Sequence, residues 1–168
     1  MPKTQFFYFI LIILAGIVIW YLNADNKSTI TDDNNFSVSD TASVNKIFIA
    51  DRSGTTITLQ REENNWIVNN KYKVRKDAIT TILNTIQQIR IQRSVPKNAF
   101  ENVVKNLATT GVKVEIYSDN KTPIKTYTIG NSTANHLGTY MLLADAGNPF
   151  IVHIPSFNGF LSPRYGIQ

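Results

Sequence analysis

Few residues in this chain can do chemistry. It has two histidines and no cysteine. That removes thiol catalysis, disulfides and Cys-ligated zinc, and leaves little for a His-based metal site. His136 lies in a polar stretch with Ser132, Thr133 and Asn135, and loops carry function more often than strands do. With Ser132 and Asp145 it supplies the residue types of a nucleophile, a base and an orienting acid, as acyl transfer requires. Yet no glycine-flanked nucleophile elbow surrounds Ser132, and a serine and a histidine four apart in a loop commonly coincide. His153 falls in the apolar run Phe150-Ile151-Val152-His153-Ile154-Pro155, where a packed ring with satisfied hydrogen bonds is expected. Among the acids, Glu62 and Glu63 sit in a turn pattern, Glu101 at a capping-box position, and Glu115 at an outward position of a strand. None of them calls for a catalytic role. Phosphate loops and dinucleotide fingerprints are missing from the sequence, so no cofactor or metal is expected and the chain reads as a non-enzyme.

The strongest chemical signal is basic charge. The chain has 17 Lys+Arg against 12 Asp+Glu, and residues 71–125 hold 11 of the former and 4 of the latter. Lys71, Lys73 and Arg75 alternate, so an extended strand would present them on one side, with Lys76 adjacent. Arg90 and Arg93 extend the same patch in sequence. The plainest reading is a solvated sheet edge, where lysines discourage strand-to-strand aggregation. The functional one is contact with anionic lipid headgroups or an acidic partner. Near the end, Phe157, Phe160, Arg164 and Tyr165 offer interface-type residues. They form an exposed binding surface or fold back to cap the sheet, and the sequence leaves both open.

The elements that must hold these residues are legible from periodicity. Residues 45–68 read as a three-strand meander: 46–50, the turn Asp51-Arg52-Ser53-Gly54, 55–61, a turn at 62–65, and 66–68. Ile79, Ile82, Leu83, Ile86 and Ile89 make one helical stripe over 77–89, with Asp77 as N-cap. A strand over 91–95 stops at Pro96. A second helix follows from Asn98, with the stripe Phe100, Val103, Val104 and Leu107, and Gly111 ends it. Strands at 112–117, 124–129, 139–143 and 150–154 complete the pattern around a loop at 130–138. Strand runs with two short helices between them predict an α+β fold, mainly antiparallel meanders with both helices on one face of the sheet.

In front of all this, residues 6–22 read FFYFILIILAGIVIWYL, without a charge or a proline. About 17–20 helical residues span roughly 26–30 Å, the hydrocarbon thickness of a bilayer. Phe6, Phe9 and Ile12 lie in this run, and Trp20 and Tyr21 stand at its distal end, where amphipathic rings favour the headgroup layer. Lys3 precedes the run, and Asp25, Lys27, Asp32 and Asp33 follow it. The positive-inside rule therefore places the N-terminus in the cytoplasm and the remainder outside. A cleaved signal peptide is the competing reading, but a site after Ala24 would need a small residue where Leu22 stands. An uncleaved anchor over residues 1–23 is expected. Residues 24–44, rich in Asn, Asp, Ser and Thr, read as a polar linker to an exported domain over 45–168, with Phe36 and Val38 hinting at an added edge strand.

Taken together, the anchor, the strand pair from Ile57 to Trp66-Ile67-Val68 and the amphipathic helix after Val74 resemble a known family. So do Tyr127-Thr128-Ile129-Gly130-Asn131, Gly138-Thr139-Tyr140-Met141 and the strand at 150–155. The resemblance is to DUF4340, a domain of exported, membrane-anchored proteins of Bacteroidota and relatives, and covers about residues 36–165. Some members accompany ABC transporters or gliding-motility machinery as auxiliary components, and members are commonly longer than this chain. The resemblance implies no catalytic residues. The expected function is therefore a non-catalytic periplasmic domain on the inner membrane that binds or scaffolds other envelope proteins, with nucleic acid excluded as a partner by export. A lipid- or glycan-binding module using the basic patch is one alternative, and an envelope hydrolase centred on the His136 loop is the other.

Overall fold

The structure, a computed structural model, describes residues 13–14, 35–63, 65–119 and 121–166. Two units divide the chain, Met1–Asp33 and Asn34–Gln168. In the first, Ile13 and Leu14 are helical. The anchor residues Phe6, Phe9, Ile12, Trp20 and Tyr21 lie outside the described residues. Among the described residues no helix is long and apolar enough to cross a membrane.

The second unit is a mainly antiparallel sheet with two helices, the α+β class its sequence predicts. In chain order it runs β1 (Lys46–Ala50), β2 (Thr56–Glu62), β3 (Asn65–Val68), β4 (Tyr72–Lys73), α1 (Lys76–Gln88), β5 (Arg90–Ser94) and α2 (Lys97–Thr110). There follow β6 (Val112–Tyr117), β7 (Lys125–Ser132), β8 (Thr139–Leu143), β9 (Phe150–His153) and a 3₁₀ turn, Ser162–Tyr165. The nine strands pair in the order β4-β3-β2-β1-β6-β7-β8-β9-β5. The two edge strands are thus consecutive in the chain and joined by α1.

That connection dictates curvature. Eight strand gaps at about 4.8 Å would spread a flat sheet over roughly 38 Å. A 13-residue helix is only about 20 Å long, and the three residues beside it add about 10 Å. The edges cannot lie farther apart than that, so the sheet curls and α1 lies in its hollow. Ile79, Ile82, Ile86 and Ile89 share one core with Ile47, Ile49, Leu59, Val114, Ile116, Ile129 and Met141 from the inner face.

The second helix lies on the other face, contrary to the expectation that both share one. Alternation along β8 shows this: Met141 and Leu143 join the inner core, whereas Tyr140 and Leu142 pack with Val95, Val103, Leu107 and Ile151. Both stripes are amphipathic, and nothing local tells which face each will cover. Helix α2 crosses β7 closely at Gly130, where an added Cβ would stand 2.8 Å from Leu107 Cδ2. Arg52, in the β1–β2 turn, donates to Leu107 O at 3.4 Å near the end of α2, where a cation suits the dipole.

Three further expectations are corrected. Asp77 does not cap α1: Arg75 is the N-cap, and the Asp77 carboxylate, within the first turn, is held by the Arg75 guanidinium. Likewise α2 begins at Lys97 after Pro96 with no side-chain cap, so the Asn98–Glu101 box does not form. Residues 35–44 belong to the domain rather than to the linker. Phe36 and Val44 are 1% and 0% exposed, and the Phe36 ring lies 5.9 Å from Tyr127 and 6.2 Å from Phe150. Val38 adds no strand; its amide donates to Ile86 O at 3.1 Å, satisfying a carbonyl in the last turn of α1.

Substituting Gly130 by Ala is expected to lower stability by about 1–3 kcal/mol, because Leu107 must move within a packed seam. Chemical denaturation of the variant checks this, and an unchanged midpoint would contradict the close crossing.

Candidate functional site

The basic residues do not form one patch. Lys71 lies in the β3–β4 turn and Lys73 on β4, at one edge of the sheet; Arg90 and Arg93 lie on β5, at the opposite edge. Lys76 and Arg90 stand at opposite ends of α1, about 20 Å apart. Residues adjacent across a helix in sequence are separated by its length in space. Arg75 is spent on Asp77, and Arg90 Nη1 donates to Gln87 O at 2.9 Å and to Ile89 O at 2.7 Å. The turn that presents Lys71 is built by Asn69 and Asn70, both in left-handed backbone (φ 51° and 53°), with the Lys71 amide bonded to Val68 O. An Asn-Asn pair after an apolar strand is the sequence signal for that turn.

The aromatic tail folds back, so of the two arrangements left open the structure takes the capping one. Tyr165 is 2% exposed and Leu161 0%. The Tyr165 and Tyr127 hydroxyls meet at 2.8 Å in the core. The Leu161 amide donates to Thr139 Oγ1 at 2.7 Å, and Ser162 Oγ to Gly130 O at 3.2 Å. Arg164 turns inward as well: Nε donates to Thr85 Oγ1 at 2.7 Å, and its guanidinium lies 4.8 Å from the centre of the half-buried Phe157 ring. Specific polar stitches rather than an apolar period hold this segment, which is why no periodicity marks it.

Beneath the folded tail the sheet leaves a cleft of about 690 Å³. Its floor is the aliphatic inner face, Ile49, Ile57, Val112 and Ile129. Thr55, Thr110, Asn131 and Ser132 supply hydroxyls and an amide at the rim, and Phe160, Ser162, Pro163 and Gly166 form the roof. Asp51 also lines it, but its carboxylate accepts from Ser53 Oγ and from the amides of Ser53 and Thr55. Those bonds, the Ser53 hydroxyl foremost, hold it below the usual carboxylate range. A second hollow of about 340 Å³ shares Ile49, Ile57, Pro163 and Gly166 with the first and runs along α1 past Ala78, Thr81 and Ile82. Such a groove is suited to an uncharged, largely apolar group with a few polar atoms at its edge. Phe160, Arg164 and Tyr165 of the tail and Ser132 of the His136 loop are the sequence candidates that line these hollows.

Ser132 and His136 do meet, with Ser132 Oγ 3.0 Å from His136 Nδ1, and Phe160 packs 5.7 Å from the imidazole. The third member is not with them. Asp145 follows the far end of the five-residue β8, about 17 Å along the strand from the His136 loop. Among the described residues no carboxylate pairs with His136. His153 sits on β9 opposite Arg90. No group of described residues could hold a metal ion. Glu115, on the outer face, pairs with Lys113 at 2.6 Å and accepts the Tyr117 hydroxyl at 2.6 Å, while Lys46 covers the Tyr117 ring at 3.7 Å. Burial opposes the charge on Glu115, but Lys113 and Tyr117 outweigh it and hold the carboxyl below its usual range.

Compared with known proteins, the chain matches no family model, no curated protein and no solved structure. The groove geometry therefore carries the functional argument.

Two outcomes test this description. Tyr165→Phe strands the buried Tyr127 hydroxyl and is expected to cost about 1–3 kcal/mol, whereas Tyr127→Phe/Tyr165→Phe removes both partners and costs less than the single change. Denaturation midpoints of the three variants decide it. Stability should also fall in alkali. The hydrogen bond to Glu115 pushes Tyr117 up to about 12. Its contribution is complete below the ordinary tyrosine value near 10 and is lost as pH rises through about 12. Burial raises Tyr127 and Tyr165 in the same direction. Denaturation midpoints measured from pH 8 to 12 are expected to drop above about pH 10, less steeply in Tyr117→Phe.

Proposed function

We propose that this chain is a membrane-anchored, exported domain that binds rather than catalyses, serving as a scaffolding component of a cell-envelope complex. The observation that carries the proposal is the groove under the tail: an aliphatic floor with a hydroxyl and amide rim, on a sheet whose curvature is fixed by α1. It suits a partner that contributes an apolar segment or side chains. The anchoring part rests on the uncharged run at 6–22 and the acidic balance that follows it, a charge asymmetry that supports an N-terminus in the cytoplasm and a domain outside. The resemblance to DUF4340 points the same way, since some members of that family accompany transport and motility machinery. A protein of the envelope is the natural partner for such a groove.

The test is made in cells. A photo-crosslinking residue placed at Thr55, on the exposed rim, should capture another envelope protein, and Ile57→Trp, which fills the floor, should abolish the adduct while the fold is retained. Fractionation should put the full chain in the membrane, with the 35–166 portion digested by protease added to spheroplasts. A cytosolic product overturns the anchoring, and a Thr55 probe that yields no adduct overturns the groove as the binding site.

A further inference from the structure

The lysine edge has its own chemistry. Around β4 the chain presents Lys71, Tyr72, Lys73 and Lys76, all exposed, and among the described residues none of the three lysines joins an ion pair. Asp77, the acid nearest in sequence, is already taken by Arg75. The strand itself is two residues long, so it offers little edge for another chain to pair with. Lysines guarding an edge would account for the charge. They would not account for Tyr72, an aromatic left 61% exposed at the same place, with Lys71 Nζ 5.1 Å from its ring centre. Lys76 gains nothing from its position either, since a cation in the first turn of α1 opposes the helix dipole. A tyrosine flanked by free ammonium groups suits one surface best: the headgroup layer of an anionic bilayer, which takes an amphipathic ring and attracts lysines together.

The membrane is also within reach. Residues 23–33 separate the apolar run from the domain in sequence, and eleven residues reach at most about 40 Å. We infer that the edge formed by Lys71, Tyr72, Lys73 and Lys76 docks on an anionic membrane surface, a contact separate from the groove. Arg90 and Arg93, at the other edge, take no part. This inference rests on the anchoring proposed above. Each lysine near such a surface is worth about fivefold in partitioning, so the three together are worth on the order of a hundredfold.

The experiment uses the full chain in nanodiscs of phosphatidylcholine, alone or with one third phosphatidylglycerol, footprinted with an amine-acylating reagent. In the anionic discs the acylation rates of Lys71, Lys73 and Lys76 should fall at least fivefold relative to neutral discs, and recover at high salt. Lys105 and Lys121 should react equally in both. In Lys71→Glu/Lys73→Glu/Lys76→Glu, whose changes are all at exposed positions, the amide-exchange protection that anionic discs give residues 69–76 should vanish. Equal acylation in both discs overturns the inference and leaves the anchoring standing. A chain that fails to enter discs at all overturns both. Protection that appears only when envelope extract is added assigns the edge to an acidic protein and overturns the membrane as its partner.

Discussion

One constraint organises the domain: a 13-residue helix connects the two edges of a nine-stranded sheet. A helix of that length cannot bridge a flat sheet of that width. The sheet must bend, and bending gives the inner face a concavity that α1 alone does not fill. What remains is closed from two sides, by Phe36 with its neighbours and by the tail around Leu161 and Tyr165. The cleft under the tail is the part neither segment reaches. The concavity thus follows from helix length and sheet width, and the tail that roofs it sets where it stays open.

The polar interior follows the same logic. Buried Thr85 accepts from Arg164, and buried Thr139 accepts the Leu161 amide. Each bond joins the tail to an element that a purely apolar contact would leave free to slide. The tyrosine pair, Tyr127 with Tyr165, does likewise at the centre. Burial supplies the bulk of the stabilisation here, and these few hydrogen bonds give the roof of the cleft one position.

Much of this was legible in the sequence, and what was not had local causes. Period-two alternation located eight of the strands, and the stripes at Ile79–Ile89 and Phe100–Leu107 located both helices. Strand order was hidden because β1 pairs β6 and β5 pairs β9, contacts that no spacing rule encodes. The segment around Phe36 reads as linker because its three anchoring residues, Phe36, Val38 and Val44, are dispersed among polar ones. The rim of the cleft was partly visible, since Ser132 and Phe160 drew attention for other reasons. Its floor was not, because Ile49, Ile57, Val112 and Ile129 are ordinary strand residues until curvature brings them round one hollow.

The last turn of α1 is held from both ends of the domain, by the Val38 amide on Ile86 O and by Arg164 on Thr85 Oγ1. The helix therefore cannot reach its final packing until residue 164 has left the ribosome, long after its own residues were made. Two of the eight ladders, β1 with β6 and β5 with β9, likewise wait for strands far along the chain, while the other six join consecutive strands. The hairpins need only local turns, whereas the two long-range ladders and the tail contacts carry the largest loop-closure cost, so the domain is completed only when the end of the chain arrives.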